Sequence, residues 1–221
     1  SAYLPLPWDS VTHELIAGVL EGGSGEEGTI FGENRRHPTF YGRLKNSFDL
    51  TDQTSANLGV TWLSGSSDDD SSYEVNAFGF EGTVMHSFNS ISKLKLQSEF
   101  YLQDRNAAFA ERLDLPQLEL AVADEVAYRR HPWGFYTLAD LRMSERWGLG
   151  TRYDQVEATN LEDQSSRDSD QAWSGYLTYF QSEFARWRAQ YQHITFEEGG
   201  EDNRFFLQGT FAIGVHKHKL Q

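Results

Sequence analysis

Lysine and arginine recur at a spacing of two along this chain, as Arg43 and Lys45, Lys93 and Lys95, and Arg186 and Arg188, with Arg142 and Arg152 standing singly among them. Side chains two apart share one face of a β-strand, so each pair would present two cations together. Acids keep the same spacing: Asp140 precedes Arg142, Asp154 follows Arg152, and Glu99 continues the row begun by Lys93 and Lys95. Placed on the inside of a wall, these residues would form rings of charge of the kind that select ions in pores. The cations outnumber the acids that share their alternation, Asp49, Glu81, Glu99, Asp140 and Asp154. Such a wall would favour anions, whereas pairing of the same charges across strands would fill a narrow barrel.

Other groupings carry less. His216 and His218 lie two apart and, with His193 or His13, could offer imidazoles to zinc or copper, yet Lys217 and Lys219 interleave them and no metal is expected. Asp68 to Asp70 and the stretch from Glu157 to Asp170 offer carboxylate oxygens but lack the glycine and terminal glutamate of a calcium loop. Neither a nucleophile elbow nor a zincin helix motif occurs. His131 or His193 beside Asp104 or Glu197 could form an acid–histidine pair, but nothing singles them out, so neither enzyme activity nor a cofactor is expected.

A net charge of -14 argues against nucleic acid, whose binders cluster Lys and Arg against phosphates. With no cysteine there is no disulfide scaffold, thiol nucleophile or thiolate metal site, which suits passage through an oxidising compartment. The start, SAYLPLPW, has no charged segment leading into an apolar core, so a signal peptide is expected to have been removed or never included. No run of about 18 apolar residues offers a membrane helix.

The residues that could do this chemistry must be held by strands. Period two appears over Phe40–Phe48, Leu58–Trp62, Lys93–Gln103, Trp133–Arg142, Trp147–Asp154, Trp173–Phe180, Arg186–His193 and Phe205–His216, and more weakly over His13–Leu20 and Tyr73–Val84. That predicts about ten strands, many of about ten residues, near the length that crosses a bilayer at a tilt. Short turns at Thr51–Thr54, Ser87–Ser92, Met143–Glu145 and Gln181–Glu183 alternate with longer, acidic, Gly- and Ser-rich connections at Glu21–Pro38, Ser64–Ser72, Asp104–Pro132, Glu157–Gln171 and Glu197–Asn203. Short turns on one side and long loops on the other match outer-membrane barrels. Aromatic residues near strand ends, namely Trp62, Tyr101, Trp133, Trp147, Tyr153, Trp173, Trp187 and Phe205, suit girdles at the two membrane interfaces. Within the longest connection, Leu118–Tyr128 could form a helix, with an extra strand that would upset the parity as the competing expectation.

Several stretches, GRLKNSFDL (Gly42–Leu50), RWGLGTRYD (Arg146–Asp154), YLTYFQSEFARWRAQYQH (Tyr176–His193) and RFFLQGTFAIGVHKHK (Arg204–Lys219), together resemble a family of bacterial outer-membrane porin-like proteins. Its members carry phosphate-selective-porin-like or zinc-regulated-receptor-like descriptions. The resemblance is to their C-terminal part, since members are longer and end on an aromatic whereas this chain ends Lys219, Leu220, Gln221. It implies a location in the bacterial outer membrane, in contact with lipid and lipopolysaccharide.

The sequence therefore predicts a single all-β domain over residues 1–221, an antiparallel transmembrane outer-membrane β-barrel by itself or as part of a larger one. Arg43, Lys45, Lys93, Lys95, Glu99, Asp140, Arg142, Arg152, Asp154, Arg186 and Arg188 would line the pore, and small solutes, anions among them, would pass by diffusion. A structural or adhesive barrel without an open pore is the first alternative, and a soluble β-sandwich binding module the second. The wall could be completed by further strands, from this chain or another, and copies could associate.

Overall fold

The computed structural model describes residues 2–8, 11–20, 38–66, 74–111, 124–157, 169–197 and 199–212, with the side chains of 2–8, 106–111 and 124–128 left aside. These residues form twelve strands: β1 (Ala2–Trp8), β2 (Val11–Leu20), β3 (Thr39–Thr51), β4 (Thr54–Ser66), β5 (Glu74–Ser87), β6 (Lys93–Glu111), β7 (Asp124–Arg130), β8 (Trp133–Arg142), β9 (Trp147–Glu157), β10 (Ser169–Phe180), β11 (Ala185–Thr195) and β12 (Glu201–Phe211). Apolar and polar residues alternate through most of them, as the two-residue period of a pleated strand requires.

All pairings are antiparallel and follow chain order, so the sheet is a meander from β1 through β6 and β8 to β12, with β7 paired to β6. β7 continues β8. Leu102 faces Trp133 and Arg105 faces Arg130 in one unbroken register. Between them Gln103 donates its N–H to the Pro132 carbonyl at 2.9 Å, while Pro132 has no N–H to return. The path thus contains eleven strands, and its first and last, β1 and β12, run in the same direction.

Among the described residues each strand contacts only its neighbours in the sheet, so no second layer packs on either face. The interior is correspondingly small: among the described residues Val75, Ala77 and Tyr176 are the buried hydrophobic ones. β1 and β12 do not pair, and the sheet formed by the described residues is not closed.

Turn chemistry separates the two ends of the strands. At the β8–β9 turn Met143 and Ser144 both donate to the Trp147 carbonyl, at 3.0 and 3.2 Å, and at the β10–β11 turn Gln181 and Ser182 do the same to Ala185. A Ser-Glu pair occupies both turns, and the hydroxyls of Ser144 and Ser182 accept the amides of Arg146 and Phe184. At the β5–β6 turn Asn89 Oδ1 accepts the amides of Ile91 and Ser92, at 2.9 and 2.7 Å, the local bonding by which Asn favours turns. At the opposite end Gly199 and Gly200 take φ of 94° and 120° to close β11 onto β12, a conformation that disfavours side chains.

Several boundaries differ from the sequence expectation. β1 was not foreseen, because Pro5 and Pro7 break any strand pattern; two residues apart, they remove donors from the same side of the strand. Asp104–Glu111 and Asp124–Arg130 are strand, not loop, and the helix expected over Leu118–Tyr128 is overturned for residues 124–128, since tertiary pairing to β6 outweighs their local preference. The extra strand does not upset the parity, because it shares the register of β8. β4 begins at Thr54, β5 runs on to Ser87, and β12 begins at Glu201, inside the connection expected at Glu197–Asn203. The acidic runs at 68–70 and 158–168, the connection 21–37, His216 and His218 lie outside the described residues.

Candidate pore-lining face

Antiparallel register assigns every side chain to one of two faces, and all eleven charged residues expected to line the pore fall on the same one. Arg43 faces Thr61 and Lys45 faces Gly59 on β4, and Gly59 faces Glu81 on β5. Glu81 faces Glu99 on β6, which pairs Lys93 with Arg142, Lys95 with Asp140 and Glu99 with Tyr136 on β8. Arg152 and Asp154 on β9 face Leu138 and Tyr136. Arg188 and Arg186 on β11 face Thr178 and Phe180 on β10, completing the row.

Local contacts tie this face together. Arg43 pairs with Glu81 across β4, which is open there because Gly59 has no side chain; a Cβ on it would stand 2.5 Å from Glu81 Cγ. Glu99 accepts three side-chain donors: Tyr136 Oη–H at 2.5 Å and Gln97 Nε2–H at 2.9 Å on Oε1, and Tyr101 Oη–H at 2.7 Å on Oε2. Arg152 binds Asp154 through Nε (2.8 Å) and Nη2 (2.5 Å) and stacks on the Tyr136 ring at 3.9 Å. Tyr176 lies flat across Gly150 on β9, its ring occupying the place of a Cβ, and donates its hydroxyl to Asp140 on β8 at 2.9 Å. Arg188 stacks on that ring at 4.0 Å, donates to Thr178 Oγ1 and reaches Asp140 at 3.7 Å.

The partners in these contacts sit at most three strands apart, so the side chains lie along the wall. Among the described residues Lys45, Lys93, Lys95, Arg142 and Arg186 have no salt-bridge partner. Lys93 and Arg186 lie with Arg142 toward the short turns, where a hollow of about 640 Å³ is lined by Arg142, Arg146 and Arg186 together with Glu145 and Glu183. Cations of this face without a salt-bridge partner thus gather at one end, beside Glu145 and Glu183.

The other face is apolar and exposed. Leu15, Leu44, Leu58, Val60, Phe80, Leu96, Leu149 and Leu177 all stand on it without cover. Two rows of aromatics bound it. Toward the long connections, ring contacts run from Phe100 to Trp133, Phe135, Tyr153 and Trp173 with centroids 4.6 to 6.1 Å apart, and Tyr191 meets Phe205. Toward the short turns Trp147 meets Tyr179 and Trp187 meets Phe211. Ser98 and Thr137, two polar exceptions on this face, donate and accept between themselves at 2.8 Å. Tyr101, grouped by its position near a strand end with the girdle aromatics, belongs instead to the polar face, paired with Gly79.

Beyond Leu102 and Trp133 the apolar face turns charged. Arg129 donates from Nε to Asp104 Oδ1 at 2.6 Å and from Nη2 to Oδ2, and this guanidinium holds the Asp104 carboxyl below its ordinary range. His131 Nε2 stands 3.4 Å from the same carboxylate, so one of the acid–histidine pairs weighed from sequence does form, but with Arg129 occupying both oxygens. His193 contacts Asn203 at 3.0 Å and His13 contacts Asn46 at 2.5 Å; among the described residues no cluster could hold a metal.

Neither a known protein family nor a curated protein matches the chain. The side chains themselves carry the functional reading. Residues the sequence did not single out are Gln97, Tyr136, Tyr176, Ser174, Gln190 and Gln192. Each has the polar parity of its strand, which was the available signal.

Proposed function

We propose that this chain forms the wall of an outer-membrane β-barrel through which small hydrophilic solutes diffuse, with anions favoured at the short-turn end. One observation carries the reading: a single-layer sheet whose apolar face is bare over most of its length. Exposed apolar surface on this scale is unfavourable in water and marks a surface that meets lipid or a partner. The two aromatic rows at its margins support lipid, as does the charged Asp104–Arg129 pair just beyond one of them. From Phe40 to Leu50 the apolar residues extend ~33 Å along β3, which a barrel tilt reduces to ~25 Å, the height of the apolar band in such barrels.

On the opposite face, polar groups bonded to neighbours along the wall leave the space above them free for water and solute. Lys93, Arg142 and Arg186 would enrich anions at that mouth. An antiparallel wall containing this meander closes through an odd number of further strands between β12 and β1. A second copy in the same orientation would meet β12 through β1 in parallel, so the added strands come from other residues of the protein or from a different chain. Phe205 and Leu207 on β12, 83% and 78% exposed, are where such a strand would add cover.

Planar-bilayer recording tests the proposal. Discrete conductance with a reversal potential on the anion side is expected in a salt gradient. Stable insertion without conductance would make the chain a structural or adhesive barrel, and quantitative recovery from the soluble fraction without detergent would remove it from the membrane.

A further inference from the structure

We propose that the polar face carries a binding trough for uncharged polyhydroxylated solutes, centred on Ser174; access to it rests on the pore reading, but its chemistry does not. β10 carries small residues where its neighbours carry large ones. Ala172 faces Asp154, and Ser174 faces Arg152 on β9 and Gln192 on β11, while Tyr176 faces Gln190. The result is a hollow of about 470 Å³ with Ser174 at its floor, within the size range of small-molecule sites.

Ser174 is 4% exposed, and its hydroxyl has no hydrogen-bond partner among the described residues. A buried hydroxyl left unpaired is costly, so an orphan lining a cavity marks a place that a water or a solute group fills. The carboxamides of Gln190 and Gln192, on the wall beside it, are likewise without a partner among the described residues.

Both arginines of the trough have a carboxylate beside them, Asp154 in its lining and Asp140 just outside it. Arg152 is held by Asp154, and Arg188 faces Asp140 while stacking on Tyr176. Hydrogen-bonding capacity is therefore left over on one serine and two carboxamides, groups that each donate and accept. A solute hydroxyl also does both, so several hydroxyls on one carbon framework complement this set. A fully deprotonated anion only accepts, and would set its charge against the carboxamide oxygens and Asp154; phosphate, which keeps a P–OH donor, is the competing ligand for the same groups.

Saturation-transfer NMR on the full chain in detergent micelles tests this with glucose and sucrose as probes, and phosphorus line broadening tests inorganic phosphate in the same sample. Transfer to the sugar ring protons is expected. It should fall at least fivefold in Ser174→Ala and in the double variant Gln190→Leu, Gln192→Leu, and stay unchanged in Gln208→Leu, which alters a polar-face glutamine of β12 outside the trough. A gel-mobility shift on heating identifies the variants that are folded, and Ser174→Ala, which removes one atom, keeps the test decisive if the double variant is not. The proposal is overturned by absent transfer in the wild type, by equal transfer in folded variants, or by phosphate binding in place of sugar. Sugar binding in micelles without conductance in bilayers supports the trough and rejects the pore; conductance without sugar binding does the reverse.

Discussion

Replacing Gly150 by alanine should destabilise the protein through one identifiable residue, Tyr176. The Tyr176 ring occupies the volume of the new methyl, and the residue is 8% exposed, so the ring must lift from the wall. Its hydroxyl then leaves Asp140, from 2.9 Å. Bonds to charged groups contribute about 1.5–3 kcal/mol, taken at the lower end because Asp140 is partly exposed. Displacing the Arg188 guanidinium, 4.0 Å from the ring, gives up about 0.5–1 kcal/mol. Partial exposure of the ring adds roughly 1 kcal/mol, bringing the expected loss to about 3 kcal/mol. Urea unfolding of the refolded protein in phospholipid vesicles, followed by tryptophan fluorescence, measures it. The decisive comparison is a double-mutant cycle. In a Tyr176→Ala background the same Gly150→Ala change has nothing to displace and should be neutral or stabilising by about 0.5–1 kcal/mol, the strand preference for alanine over glycine. An equal cost in both backgrounds would mean that Tyr176 does not carry the loss.

Leu177→Arg, on the apolar face, should destabilise the protein in vesicles by about 2–4 kcal/mol, whereas Gln190→Arg on the adjoining strand's polar face should cost under about 1 kcal/mol; unfolding titrations of the two variants compare them directly. Reversing charge at the short-turn mouth with Lys93→Glu and Arg186→Glu together should move the bilayer reversal potential toward cations while Lys45→Glu moves it less, since the hollow at that mouth is lined by Arg186 and its neighbours. Arg129 lowers the folded-state pKa of Asp104, so its stabilisation is present above the ordinary carboxylate value and is lost as pH falls through the lower folded value. Wild type should accordingly lose its advantage over Asp104→Asn only on acidification below about pH 4, in unfolding titrations at graded pH.

The polar parity of this sheet was legible because single residues such as Lys93, Lys95 and Glu99 cannot alternate with Leu94, Leu96 and Phe100 in any other regular structure. Every charged residue picked out by that parity stands on one face. Neighbour relations were not legible, since Arg43–Glu81 and Tyr176–Asp140 depend on register across two strands and on glycines between them, which no local pattern encodes. Tyr101 was misplaced because aromatic type was allowed to outweigh its odd position in β6. Ser174, Gln190 and Gln192 drew no notice because uncharged polar residues on a strand look the same whether they face bulk water or line a hollow. β1 escaped because Pro5 and Pro7 interrupt the strand pattern, while β7, an extension of β8 beyond a proline, stood only as the competing expectation to a helix.

On the proposed reading, one face of the sheet meets lipid and the other water. The chain contains no cysteine, so single cysteines can be introduced and spin-labelled one at a time from Arg186 to His193 along β11. In phospholipid vesicles, collision with oxygen, which concentrates in lipid, and with a water-soluble nickel chelate should alternate with period two. Labels at 187, 189, 191 and 193 should favour oxygen, and labels at 186, 188, 190 and 192 the chelate. Equal access of the chelate to both sets would mean that neither face meets lipid.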